Sequence, residues 1–154
     1  KIRNFLVNNL WDGRNLQRSQ AAGRLLGSAS LEDYAYVSRG LFDYARLSGQ
    51  ETNYVQAEQV LAQGWSRFHK HNAWSYADAS LLPPAEGKEI LSEDSSASPS
   101  AVLIATTLAL HDAGQLEDDT LYSRALSALN RGEETLLSSP FWYVSQIAAM
   151  QGFR

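Results

Sequence analysis

The segment from Ala101 to Leu110 constrains the fold of this chain most, because it is apolar on almost every side of a predicted helix. A helix that is hydrophobic all round has to be enclosed by other elements. The segment falls well short of the roughly 20 residues that a membrane span needs. We therefore expect no membrane association and a helix buried inside a bundle.

Helical periodicity extends over most of the remaining chain, and almost no segment alternates as a strand would. The helices at 51–70 and 118–137 are predicted to be amphipathic, whereas those at 30–48 and 99–113 are largely apolar. Such alternation is typical of stacked helical hairpins, in which outer helices cover inner ones. The sequence therefore predicts an all-α fold with helices at 1–10, 30–48, 51–70, 99–113, 118–137 and 140–150 and a long loop over 72–98.

Composition excludes several classes of protein and of site. The net charge is -4 and the basic residues are scattered, so we expect no nucleic-acid partner. There is no cysteine and the three histidines have no metal-ligand neighbours in the sequence, so we expect no metal site and no cofactor. No targeting signal is visible, and we expect a cytoplasmic protein.

The start of the predicted second helix carries the candidate functional residues. Ser30 and Asp33 have the spacing of a capping box, and acidic side chains complement the positive end of the helix dipole. Capping explains those two residues but leaves Glu32 and Tyr34 beside them unexplained. A buried helix that begins among acids and phenols indicates a cavity at that end.

These motifs resemble a known family. The segments are Leu16-Gln17-Arg18-Ser19, then Leu31-Glu32-Asp33-Tyr34-Ala35, then Asp94 shortly before Pro99-Ser100. Together they are similar to the C-terminal region of the thioredoxin-domain-containing, spermatogenesis-associated proteins.

The resemblance implies an architecture and a set of cavity residues. Members of the family have an (α/α)6 toroid similar to those of N-acylglucosamine 2-epimerase and the six-hairpin glycosidases. The whole segment 1–154 is then expected to be about half of such a toroid, within a longer chain whose thioredoxin-like domain lies outside it. The implied cavity residues are Arg18, Glu32, Asp33, Tyr34, Asp94 and Ser100.

Carboxylates beside aromatic rings suit a carbohydrate, because rings stack on sugar faces and acids exchange protons with sugar oxygens or carbons. Inner helices of a toroid begin at the same end, which would add Trp142 to the substrate contacts. Glu32 and Asp33 are the candidate catalytic pair, with Glu32 as the acid or base if Asp33 serves the cap. The expected activity is that of a sugar epimerase, isomerase or glycosidase, acting on a small saccharide.

Other interpretations remain open at these residues. Arg18 has an alternative role in pairing with an acid, and Asp94 in being a solvated loop carboxylate. Where the family has Gly-Asn-Ser after Pro-Ser, this chain has Ala101-Val102-Leu103, which favours a non-catalytic scaffold or interaction domain. The apolar helix 99–113 also predicts self-association or binding to the rest of the parent chain.

Overall fold

The computed structural model describes residues 1–77 and 88–152, which form a mainly helical fold, so the all-α prediction is confirmed. Helix α1 (Ile2–Phe5) continues directly into a π-helical turn over Leu6–Leu10, and a 3-10 turn over Pro140–Trp142 precedes the last helix. The other helices are α2 (Leu31–Ser48), α3 (Glu51–Phe68), α4 (Pro99–Asp112), α5 (Asp119–Leu129), α6 (Glu133–Ser138) and α7 (Val144–Gln151). The strands are β1 (Gln17–Ala21), β2 (Arg24–Ser28), β3 (His69–Lys70) and β4 (Ala73–Trp74).

Helices α2 and α3 form a hairpin. Helix α2 begins at the Ser30 cap and ends at Gly49, whose φ of 65° is the left-handed conformation that ends helices. The two helices approach closely at Gly64, where an added Cβ would lie 3.2 Å from the Cβ of Tyr34 and 3.3 Å from Leu103 Cδ1. This close approach brings α2, α3 and α4 around one core.

Helix α4 lies at the centre of the bundle, as its composition predicts. It packs against α2, α3, α5 and α7, and Leu103, Ile104 and Leu110 are fully buried. Pro99 occupies its first turn, where the missing N–H costs nothing. The enclosed helix predicted from the apolar sequence is confirmed.

The prediction of almost no strand is wrong at two hairpins. Strands β1 and β2 pair antiparallel through a two-residue turn at Ala22 and Gly23, both with positive φ. Every residue of β2 is exposed, so no buried face imposes the period of two that marks a strand in sequence. The hairpin therefore has no hydrophobic alternation by which to recognise it.

The second hairpin replaces the predicted end of the third helix. Helix α3 stops at Phe68 rather than at Lys70, and β3 pairs with β4 through His71 and Asn72, whose φ angles are 52° and 62°. Trp74 also pairs with Lys88 by two backbone hydrogen bonds of 2.7 and 3.1 Å. The predicted loop over 72–98 thus begins with a strand, and its central part lies outside the described residues.

The C-terminal helices are shorter than predicted. The helix expected over 118–137 is interrupted after Leu129, and Gly132 adopts a left-handed φ of 71° before α6. A Cβ at Gly132 would lie 2.9 Å from Ile90 Cγ2, so this chain reversal requires glycine. In the part of the chain that the structure describes, no helix combines the length and the apolar character that crossing a bilayer requires.

Candidate functional site

The first turns of α2, α4 and α7 meet at one end of the bundle. Tyr36 of α2 donates its hydroxyl to the carbonyl of Ala97, 3.0 Å away, just before α4. The backbone N–H of Ser98, which precedes α4, donates to the hydroxyl of Ser145 in α7 at 3.0 Å. We call this end of the bundle the opening.

Asp33 is committed to the helix cap. Its Oδ2 accepts from the backbone N–H of Ser30 at 2.8 Å and from the Ser30 hydroxyl at 2.9 Å. The Ser30 hydroxyl in turn accepts from the Asp33 N–H at 3.4 Å, which completes a capping box. Asp33 thereby fixes the direction in which α2 enters the opening.

Glu32 is exposed at the opening and accepts a hydrogen bond from the Ser96 hydroxyl at 3.2 Å. Ser96 lies in the segment that carries Asp94, so the start of α2 and the chain preceding α4 are joined there. The side chain of Asp94 is also exposed. Two carboxylates from distant parts of the sequence therefore face solvent on the same side of the bundle.

Tyr76 lies at the start of α2. Its carbonyl accepts from the Leu31 N–H at 3.0 Å, which holds Tyr76 against the start of α2. Partial burial raises the pKa of the Tyr76 phenol, and the negative charges of Asp94 and Glu32 raise it further. The phenol therefore lies within electrostatic reach of both carboxylates. A hydrogen bond with Ser92 opposes these effects and lowers the pKa.

Trp142 is attached to the same segment. Its carbonyl accepts from the Glu93 N–H at 2.8 Å, and a Glu93 carboxylate oxygen accepts from the Ser145 N–H in the first turn of α7. The Trp142 side chain remains 62% exposed, and Phe141 beside it is also exposed. Two aromatic rings thus stand next to the acidic segment.

Two predicted cavity residues, Tyr34 and Ser100, are buried, and a third, Arg18, lies on the β1–β2 hairpin. Tyr34 is 1% exposed, and its hydroxyl accepts from the Leu16 N–H at 2.8 Å. Ser100 is buried with its hydroxyl 2.9 Å from that of Ser98. Arg18 lies exposed on β1, and its side chain makes no hydrogen bond or ion pair within residues 1–77 and 88–152. The structure therefore brings Glu32, Asp94 and Trp142 to the opening, while Tyr34 and Ser100 are internal.

Glu32 also borders a groove of about 540 Å³ between α2 and the N-terminal helical segment. Tyr36, Gly40 and Tyr44 follow Glu32 along one face of α2 at helical spacing and line this groove. Arg3 on the opposite wall donates to Asn53 and Gln56 at 2.6 Å each. The groove thus has a carboxylate at one end and two phenol rings along its floor.

The sequence-based interpretation missed Tyr76, Ser92 and Ser96. Tyr76 follows the unpredicted β4, whose pairing with β3 spans only two residues and is too short to give a periodic signal in the sequence. Among the described residues no group of three or more His, Asp or Glu side chains has a metal-binding arrangement. Neither the family models nor the curated proteins include a match for this chain.

Proposed function

We propose that this chain is a carbohydrate-binding or carbohydrate-processing domain whose site is the opening where α2, α4 and α7 begin. The observation that carries the proposal is that the exposed Glu32 accepts a hydrogen bond from Ser96, in the same segment as the exposed Asp94. Carboxylates and a phenol offer the acceptors and the donor that sugar hydroxyls require. The exposed ring of Trp142 adds a surface on which a sugar face can stack.

Glu32 is the acid or base in this proposal. Its carboxylate is exposed and receives one hydroxyl hydrogen bond, from Ser96, whereas the Asp33 carboxylate is held by the cap. Asp33 then acts as a positioning residue through α2, and Asp94 and Tyr76 hold the substrate. A proton exchanged by Glu32 would serve either glycosidic cleavage or epimerisation at carbon.

The architecture supports the same class of protein. The α2–α3 hairpin is followed by α4 and α5, and the inner helices α2 and α4 begin at the same end. This order agrees with about half of an (α/α)6 toroid, such as the 2-epimerase and six-hairpin glycosidase proteins have. In the proposal the remaining hairpins would belong to a longer parent chain.

The test is a thermal-shift screen against monosaccharides, amino sugars and short glycans, because a ligand that binds only the folded state raises its melting temperature. We expect one sugar class to raise the melting temperature and Glu32→Gln to abolish that rise. Glu51→Gln is the matched control, since Glu51 is an exposed first-turn glutamate of α3. A panel without any shift, or an equal shift in Glu32→Gln, would overturn the assignment.

A scaffold function is the second candidate. It is favoured by a groove of about 420 Å³ between α4 and α7, where Val102, Ala105 and Ala149 remain partly exposed. Such apolar surface is normally covered by a partner. Sedimentation velocity tests whether a second copy of the chain covers this surface: self-association predicts a concentration-dependent dimer, which a monodisperse monomer contradicts.

A further inference from the structure

A second pocket, of about 380 Å³, lies between the turn of the β3–β4 hairpin and helix α5. It shares no lining residue with the opening or with either groove described above. The lining side chains are two imidazoles, an amide, two hydroxyls and a guanidinium, from His69, His71, Asn72, Ser123, Ser127 and Arg124. All of these groups can donate hydrogen bonds, and the lining contains no carboxylate.

Arg124 is held in a fixed position in this pocket. Its Nη2 donates to the carbonyl oxygens of His69 and Trp65 at 2.9 and 3.2 Å, at the end of α3. The guanidinium also lies 5.2 Å from the centre of the Trp65 ring. Within residues 1–77 and 88–152, its Nε and Nη1 make no hydrogen bond, so these donors remain available to a ligand.

His69 contributes a second donor that lacks an acceptor. Its side chain is 7% exposed. Its Nδ1 lies 3.3 Å from Arg124 Nη2, and since an arginine nitrogen only donates, Nδ1 is the acceptor in this contact. Burial, together with the positive charges of Arg124 and Arg131, lowers the pKa of His69 to about 4, so the ring is neutral at pH 7. The proton of a neutral ring that accepts at Nδ1 resides on Nε2, and this buried Nε2 has no partner in the structure.

The charges around the pocket favour an anion. Arg124 lies in its wall and Arg131 lies within electrostatic reach of His69. Asp118 is the carboxylate that acts on Arg124, but its oxygen already accepts from the N–H and hydroxyl of Thr120 at 2.9 and 2.5 Å. An oxyanion in the pocket would accept charge-assisted hydrogen bonds from the Nε and Nη1 donors of Arg124.

We propose that this pocket binds a small oxyanion, a phosphate or a carboxylate group, through Arg124 and the hydroxyls of Ser123 and Ser127, beside the buried ring of His69. The two serines lie one turn apart on α5, so both hydroxyls can reach one ligand. The site is separate from Glu32, and its occupation would add a second, anionic ligand to whatever the opening binds.

The test is an NMR titration with inorganic phosphate and, separately, with acetate, at constant ionic strength maintained with sodium chloride. We expect saturable shifts at the His69 ring and at the amides of Ser123 and Ser127. Response to phosphate alone identifies a phosphate site, response to acetate alone a carboxylate site, and response to both a general oxyanion site.

Two variants test the residues. Arg124→Gln should weaken binding at least about tenfold, because it removes the charged donor. Since that change also removes contacts to the end of α3, the surface variant Ser123→Ala/Ser127→Ala provides a second test and should weaken binding several-fold. Arg24→Gln, at an exposed arginine of β2, is the control and should bind normally. The proposal is overturned by the absence of saturable shifts or by equal binding in the control and the double serine variant.

Discussion

The substitution Thr107→Val tests whether the buried indole N–H of Trp65 needs the Thr107 hydroxyl as its hydrogen-bond acceptor. The Trp65 Nε1–H donates to the Thr107 hydroxyl at 2.8 Å, and that hydroxyl donates to the Leu103 carbonyl at 2.9 Å. Both side chains are 0% exposed. Valine has nearly the shape of threonine, so the change leaves the packing in place but deprives the indole N–H of its acceptor.

The neighbouring Thr106 supplies a matched control. It is equally buried in the same helix, and its hydroxyl donates to the Val102 carbonyl at 2.8 Å. Thr106→Val therefore removes the same kind of helix contact without leaving a donor unpaired. A buried donor left unpaired costs about 1–3 kcal/mol, and we expect Thr107→Val to lower the free energy of unfolding by that much more than Thr106→Val.

The assay is urea unfolding followed by circular dichroism, which avoids the altered fluorescence of Trp65. For a chain of this size the expected difference corresponds to about 2–10 °C in melting temperature. Thr107→Ser retains the hydroxyl and should recover most of the specific loss. Equal destabilisation by Thr106→Val and Thr107→Val would refute the argument that the indole needs this acceptor.

Three further predictions concern caps, pH and glycines. Ser30→Ala should cost about 1 kcal/mol through loss of the capping box, as measured by urea unfolding, whereas Glu32→Gln should cost only about 0.3–0.5 kcal/mol through the helix dipole. Burial and the charges of Arg124 and Arg131 lower the pKa of His69 from 6.5 to about 4, so the unfolded state binds a proton at this ring more readily than the folded state. The free energy of unfolding is therefore unaffected by His69 above pH 6.5 and decreases as the pH falls towards 4. This loss approaches about 3 kcal/mol, and a urea series across that range should show a smaller loss in His69→Asn. Gly40→Ala should stabilise α2 by about 0.5–1 kcal/mol, because nothing lies within 4 Å of the new Cβ. Gly49→Ala should destabilise α2 by about 1 kcal/mol, because the φ of Gly49 is 65° and an alanine is strained in that conformation. A gain from Gly49→Ala, or a loss from Gly40→Ala, in thermal unfolding would contradict the assigned conformations.

The sequence predicts well where local signals and burial agree. At α2, the cap at Ser30, the apolar spacing and the left-handed end at Gly49 all specify the same helix, and the structure has it. At α4 the apolar composition alone predicts burial. The pairing of β1 with β2 has no such signal, because both strands are largely exposed. The break between α5 and α6 does have a local signal, Gly132 with its φ of 71°, but the apolar spacing that continues beyond it predicts one longer helix.

The candidate site was predictable only in part. Glu32 could be singled out because capping does not explain it, and Trp142 because the inner helices were expected to begin at one end. The internal roles of Tyr34 and Ser100 depend on partners that periodicity cannot identify, Leu16 N–H and the Ser98 hydroxyl. The apolar stripe of α2 includes Tyr34 and leaves out Glu32, but it does not reveal which group the Tyr34 hydroxyl binds.

The central position of α4 determines how the molecule comes apart. In an array of stacked hairpins each unit contacts only its neighbours, so units can detach one at a time. Here one helix supplies the packing surface for α2, α3, α5 and α7 together. Removing any of them exposes apolar side chains of α4, and α4 alone has no polar face with which to remain solvated. The helical bundle therefore gains or loses its structure as a single cooperative unit.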